Sequence, residues 1–307
     1  MTKNEKKARI AKLKNELKEL QSAPRSDWHT AFEAFLRLKT YGYENISIRT
    51  EVEIGMDAPR TDYLILIDNE THTLEDKIFK IFRKINILEY KNPNDSLNKR
   101  VIYKIIGYAN LLIGTAEREN DIPEDQVTIS IFRSTKNLAL WNELEKSGKL
   151  INTDTSGIYY ITRITELPFQ IVITSELKGE EYAVCRALTD KANETDIIHI
   201  IKHAENQTND SIREYYKIFL DLIAEKNPDI FTKIRRDHTM RGALMEIMKD
   251  DVNKRLDARE QETIAASIKN LMSNLGFTSI QAMDALNIPL AQRNVYLDLV
   301  NEKHDKS

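Results

Sequence analysis

The sequence predicts an α/β protein: a mixed sheet core in the order helix, three strands, helix, strand, followed by a helical C-terminal domain. Three observations carry this. Short Ile-, Val- and Tyr-rich runs recur at 46–54, 63–67, 85–91 and 127–132, the length and composition of strands. Segments with three-and-four apolar spacing separate them. From about Ser175 onward only helical spacing remains, broken near Asn206–Asp210, Asn227-Pro228, Gly276 and Pro289.

The elements follow in order. Ile10, Leu13, Leu17 and Leu20 lie on one stripe of an otherwise charged N-terminal segment, an amphipathic helix or arm over 1–25. Ser26 or Asp27 then caps a helix whose buried face is Trp28, Phe32, Phe35 and Leu36. Ile46, Ile48, Val52 and Ile54 read as a strand. The continuous apolar run Tyr63–Ile67 suits a strand covered on both faces. Ile85–Lys91 is a third strand, closed by Asn92-Pro93. Asp95 or Ser96 would cap a helix carrying Val101, Ile102, Ile105, Ile106, Ala109 and Leu112. Val127–Phe132 is a fourth strand, and Ile158–Ile161 and Phe169–Ile173 extend the sheet. The expected division is therefore an arm (1–25), an α/β domain (26–175) and a helical domain (176–307).

Composition excludes several classes. The 307 residues are 41% apolar and 30% charged, with 9 Gly and 7 Pro, a globular and helix-leaning balance. The net charge of −3 argues against a wholly basic nucleic-acid-coating protein. A single cysteine, Cys185, excludes disulfides within the chain and cysteine-based zinc sites, and reads as buried filler. No apolar run approaches the ~18 residues of a spanning helix, and the start leads into an amphipathic segment, not a signal-peptide core. The expectation is a soluble, cytoplasmic protein with no membrane partner.

Chemistry gathers around Asp62, which opens the second strand, and Glu89 and Lys91, which end the third. Residues two apart in a strand share a face, roughly 6.6 Å apart. Glu89 and Lys91 therefore lean over one patch, and Asp62 joins them if the two strands are neighbours. Two close carboxylates raise one another's pKa unless a cation lies between them. A hard ion such as Mg²⁺ (or Mn²⁺) answers that repulsion, with the Tyr90 backbone carbonyl as a third ligand. Such an ion would polarise a phosphodiester and acidify bound water. Lys91 would hold that water or stabilise the charge that develops. Glu-x-Lys recurs at Glu5, Glu16, Glu75 and Glu176, but only the Glu89 copy ends an apolar strand and precedes a capped helix. The competing reading is an ordinary ion pair at a strand end.

Arg60-Thr-Asp62-Tyr-Leu-Ile-Leu, Asn86-Ile-Leu-Glu89-Tyr-Lys91-Asn-Pro and Tyr103-Lys-Ile-Ile-Gly-Tyr108-Ala, in this order of elements, resemble the PD-(D/E)XK nuclease superfamily. The specific likeness is to its bacterial recombination-promoting, transposase-associated group. It continues through Gly157–Ile161, Pro168–Leu177 and Asn270–Phe277. The resemblance implies a restriction-endonuclease-like core, with Asp62 and Glu89 as metal ligands and Lys91 as the catalytic lysine. Thr61 stands where the family motif has proline. Superfamily members often bring a glutamate from the first helix to the metal, which points to Glu33, with His29 four residues before it. Glu51 and Glu53, on one face of the first strand, are further candidates. Tyr103 occupies the helix position from which members often face the site with a polar residue.

Between Lys77 and Lys104 eight basic residues stand against Glu89 and Asp95. A basic stripe beside a site is what phosphate contacts require, which singles out Lys84, Lys99, Arg100 and Lys104, with Tyr103, as DNA-binding. His199 and His203 have the spacing of a helical metal pair but lack the glutamate of a metalloprotease motif. The tail around Ile288-Pro289 suggests two short helices with few basic residues, suited to packing or to self-association as a homodimer. The reading is a Mg²⁺-dependent DNA endonuclease. The alternative is a non-catalytic nuclease-fold module that binds DNA or protein.

Overall fold

The computed structural model describes residues 28–43, 45–53, 60–68, 74–115, 122–248 and 250–301. The N-terminal arm, the Ser26/Asp27 cap and Pro59 lie outside them. The chain divides into two compact units, 1–227 and 228–307.

The first unit is built on a seven-stranded mixed sheet. Its elements are α1 (Trp28–Thr40), β1 (Ile46–Glu53), β2 (Arg60–Ile67), β3 (Ile85–Lys91), α2 (Lys99–Gly114), β4 (Val127–Arg133), α3 (Leu138–Lys146), β5 (Leu150–Asn152), β6 (Ile158–Ile161) and β7 (Phe169–Ile173). The helices α4 (Ala183–Arg186), α5 (Glu194–Glu205) and α6 (Asp210–Lys226) complete it. Strand order is β1-β2-β3-β4-β7-β6-β5. The central strands β3, β4 and β7 run parallel, and antiparallel hairpin-type pairs flank them on both sides.

Period-two alternation sorts the side chains into two cores. On one face Tyr63, Leu88, Tyr90 and Phe132 meet Phe32 and Phe35 of α1, all buried. Phe32 stacks on Tyr90 with ring centroids 4.5 Å apart and lies 5.0 Å from Phe132. On the other face Leu64, Ile87, Ile129, Ile131 and Ile171 pack beneath Ile102, Ile105, Ile106 and Ala109 of α2. Each such fully buried side chain contributes about 1.5–3 kcal/mol. The first face also carries a buried polar row. Thr128 Oγ1 donates to Asn86 Oδ1 (2.7 Å), and Gln170 Nε2 donates to Ser130 Oγ (3.0 Å) and to the Ile78 carbonyl (2.7 Å), pinning the turn that precedes β3.

Two features differ from expectation. The cap of α2 is Asn98, not Asp95 or Ser96: its Oδ1 accepts from the Arg100 and Val101 amides, while Leu97 just before it is buried. Helix α3 and the short edge strand β5 are additional. The sheet-bearing unit runs to Asn227. The physical reason is that α6 packs on α1, with Lys226 over the Trp28 ring at 5.9 Å and Tyr41 donating to Asn209 at 3.0 Å. Asn227 itself bonds Thr189 and Ala192.

The second unit holds α7 (Pro228–Arg235), α8 (His238–Ile247), α9 (Asp250–Leu275), α10 (Ser279–Ala285) and α11 (Arg293–Asn301). Ile268, Met283, Ile288 and Tyr296 form its small core. The two short helices around Pro289 pack on α9. Arg235 is fully covered and is held by Asp257 (2.5 Å) and the Asn253 carbonyl (3.0 Å). No helix among the described residues is long and apolar enough to cross a membrane.

Candidate active site

The antiparallel β2–β3 ladder pairs Tyr63 with Leu88, so Asp62 stands opposite Glu89, about 4.8 Å away across the ladder. At this point the carboxylate takes over from the backbone: Tyr90 N–H donates to Asp62 Oδ2 at 3.0 Å. The alternation that sends Tyr90 into the α1 core turns Glu89 and Lys91 to the α2 face. Lys91 Nζ donates to Glu89 Oε1 at 2.6 Å. His29, from the first turn of α1, brings Nε2 to 3.4 Å from Asp62 Oδ2.

Glu89 is 2% exposed. Burial holds its pKa above the usual carboxylate range, and the neighbouring Asp62 charge adds to that; the bond and charge of Lys91, and the charge of Lys104, work the other way. A buried acid raised in this way beside a second carboxylate is a pattern that clusters at functional sites. Mg²⁺ is commonly bound through one or two carboxylates while keeping several waters, so Asp62 and Glu89 fit such an ion. Among the described residues no group of three or more His, Cys, Asp and Glu side chains is arranged to hold a metal.

The other expected residues are distributed as follows. Glu33 Oε1 receives Arg37 Nη2 at 2.6 Å and Nε at 2.9 Å on α1. Helix α1 covers the Tyr90 face, the face opposite Glu89. Glu51 and Glu53 lie on β1, with side chains outside the described set. Tyr90 contributes its amide to Asp62, and its ring is buried with the hydroxyl 3.4 Å from the Leu188 carbonyl.

The basic stripe is divided in space. Lys84 precedes β3, so it lies at the far end of that strand from Lys91, roughly 20 Å away along the chain. Lys99, Arg100 and Lys104 belong to the first two turns of α2, near the site end. Lys99 is exposed and bonds Glu143 at 2.5 Å. Arg100 is exposed, and Tyr103 is half exposed. Lys104 is the α2 residue whose charge reaches the site. Its pKa is raised first by its hydrogen bond to Tyr108, over whose ring it lies at 5.1 Å; burial opposes this, and the charges of Glu89 and Asp62 add smaller upward effects.

Sequence reasoning gave His29 a minor place, yet it touches Asp62; the signal was its position four residues before Glu33 on the same helix. Cys185 is fully buried and its thiol is pushed up by desolvation, as a filler residue should be. His199 and His203 line an open groove of about 120 Å³ beside Phe35 and Lys39, with His199 Nδ1 3.6 Å from Glu180 Oε2.

Comparison with family models, with curated proteins and with solved structures gives no match to this chain.

Proposed function

We propose that this protein is a divalent-metal-dependent DNA endonuclease with a restriction-endonuclease-like core, hydrolysing phosphodiester bonds at Asp62, Glu89 and Lys91. The observation that carries the reading is one cluster at the end of two neighbouring strands: Glu89, buried and raised by Asp62, with Lys91 bonded to it at 2.6 Å. The observed order α1, β1, β2, β3, α2, β4 agrees with the resemblance, which also links the activity to recombination or transposition. A Mg²⁺ or Mn²⁺ ion, when bound, would polarise the phosphodiester and acidify a water. The chain's own residues divide the remaining work. Asp62, fixed by the Tyr90 amide, and Glu89 supply the donor oxygens. Lys91 holds the attacking water and faces the negative charge of the transition state. Lys104 adds a second positive charge over the same patch, and His29 restricts Asp62 from the α1 side.

Cleavage of labelled duplex and single-stranded DNA in Mg²⁺ tests the reading. The wild type is expected to cut, and Lys91→Ala to lose at least about 100-fold, as removal of one preorganised charge donor does. Cleavage undiminished in Lys91→Ala would overturn the mechanism. A second reading is favoured by the closed Glu89–Lys91 pair, in which each charge already has its partner within the chain: a binding module on the same fold. It predicts DNA or protein binding with no metal uptake at Asp62 and Glu89.

A further inference from the structure

The parallel register pairs Lys91 with Arg133, and Arg133 with Ile173, at the C-terminal ends of β3, β4 and β7. Arg133 thus shares the α2 face with Glu89 and Lys91, one strand further into the sheet. Open α/β sheets bind ligands outside the carboxyl ends of their parallel strands.

The Arg133 guanidinium differs from other arginines of the chain, whose carboxylate partners are in place. Arg37 holds Glu33, Arg186 holds Asp196, and Arg235 holds Asp257. In Arg133 the Nε and Nη1 atoms are shut off from solvent and make no hydrogen bond among the described residues. Burial pulls its pKa down, and only Asp95, in the loop after β3, offsets this by its charge. An arginine remains charged under such a shift, so the group is a cation held without its counter-charge. A carboxylate beyond the end of the neighbouring strand is already committed. Glu176, just beyond β7, takes Lys136 at 2.9 Å through one oxygen and the Tyr159 hydroxyl through the other. Lys136 also covers the Tyr159 and Trp141 rings at 4.5 and 5.4 Å. Keeping a partly desolvated charge with two unbonded nitrogens is costly unless something from outside completes it. The forked geometry of a guanidinium matches two oxygens of one phosphate.

We propose that Arg133 is a phosphate anchor, engaging a backbone phosphate of the nucleic-acid strand beside the Asp62/Glu89/Lys91 site. This rests on the nucleic-acid substrate of the proposed function but not on cleavage or on a metal.

Fluorescence anisotropy with a labelled DNA duplex in EDTA, over a range of salt concentrations, tests it on the full-length wild type, Arg133→Met and Arg133→Lys. Arg133→Met is expected to weaken binding about 10-fold and to reduce the slope of log K against log salt by about 0.9, the loss of one phosphate contact. Arg133→Lys should keep the slope and lose only part of the affinity. The melting temperature of free Arg133→Met should equal or exceed that of the wild type, because a partly buried charge with two unbonded nitrogens has been removed; a residue with a packing role alone would lower it. Inorganic phosphate supplies a second arm, raising the melting temperature of the wild type and not of Arg133→Met.

An unchanged affinity and slope in Arg133→Met would overturn the proposal. A wild type that binds no duplex would also overturn it, and stabilisation by inorganic phosphate in that case would assign the anchor to a free phosphate ligand. Absence of cleavage in Mg²⁺ together with the reduced slope would count against the nuclease alone and leave the anchor standing.

Discussion

Replacing Lys91 by methionine removes the one hydrogen-bonded cation from a glutamate that is 2% exposed. The two influences that remain strongest on Glu89, burial and the Asp62 charge, both raise its pKa further. Breaking a buried pair from one side costs about 3–5 kcal/mol when the surviving charge stays ionised. Glu89 escapes part of that by taking up a proton, so the cost depends on pH. An acid whose folded-state pKa stands above its unfolded value binds its proton more tightly when folded. Its ionisation therefore opposes folding: the penalty is absent below the unfolded value, grows as pH rises, and is complete above the folded value. We expect Lys91→Met to lose about 3 kcal/mol at pH 8 and about 1 kcal/mol at pH 5. Urea unfolding in EDTA followed by tryptophan fluorescence measures this, since both tryptophans, Trp28 and Trp141, belong to the sheet-bearing unit. Adding Glu89→Gln to Lys91→Met should restore most of the loss at pH 8, as expected of groups in direct contact. Equal losses at the two pH values, with no recovery in the double variant, would refute the electrostatic account of this pair.

Further outcomes test the surroundings. Asp62→Asn keeps an acceptor for the Tyr90 amide while removing the charge that raises Glu89, so the metal-free protein should gain about 1 kcal/mol at neutral pH, read as a higher urea midpoint in EDTA. Asn98→Ala removes the side-chain cap of α2 and should cost about 1 kcal/mol by the same measurement. Gly157 has φ +88°, and a Cβ there would meet the Ile173 carbonyl oxygen at 2.8 Å and the Leu177 nitrogen at 2.9 Å. Gly157→Ala should therefore cost about 2 kcal/mol or more, with backbone instead of a flexible side chain in the way.

What could be read from the sequence follows the reach of each signal. The central strands were legible because β3, β4 and β7 are covered on both faces and show as nearly unbroken apolar runs. Asp62, Glu89 and Lys91 were legible for a related reason: charged residues at the ends of such runs stand out, and strand periodicity sets their faces. Helix α3 was also within reach, since Asn137 caps a segment with Leu140, Trp141 and Leu144 at helical spacing. Strand β5 was not, being three partly exposed residues at the sheet edge. Three candidate caps crowd the loop after β3, and the fold decides for Asn98, whose side chain accepts from the Arg100 and Val101 amides. The basic stripe is spread out because density along a sequence is not density in space: a strand carries Lys84 and Lys91 to opposite ends of the sheet. The position of α6 on α1 is a tertiary contact with no local signature in the sequence. Arg133 is invisible for the opposite reason. One arginine at the end of an apolar strand is ordinary, and only its unpaired nitrogens distinguish it.

The central claim is that Asp62 and Glu89 together hold a divalent cation. Isothermal titration of Mn²⁺ into the wild type and into Glu89→Ala, at near-neutral pH, tests it most directly. The account predicts saturable binding to the wild type that is lost in the variant. Equal binding to both proteins, or none to the wild type even with duplex DNA present, would contradict it.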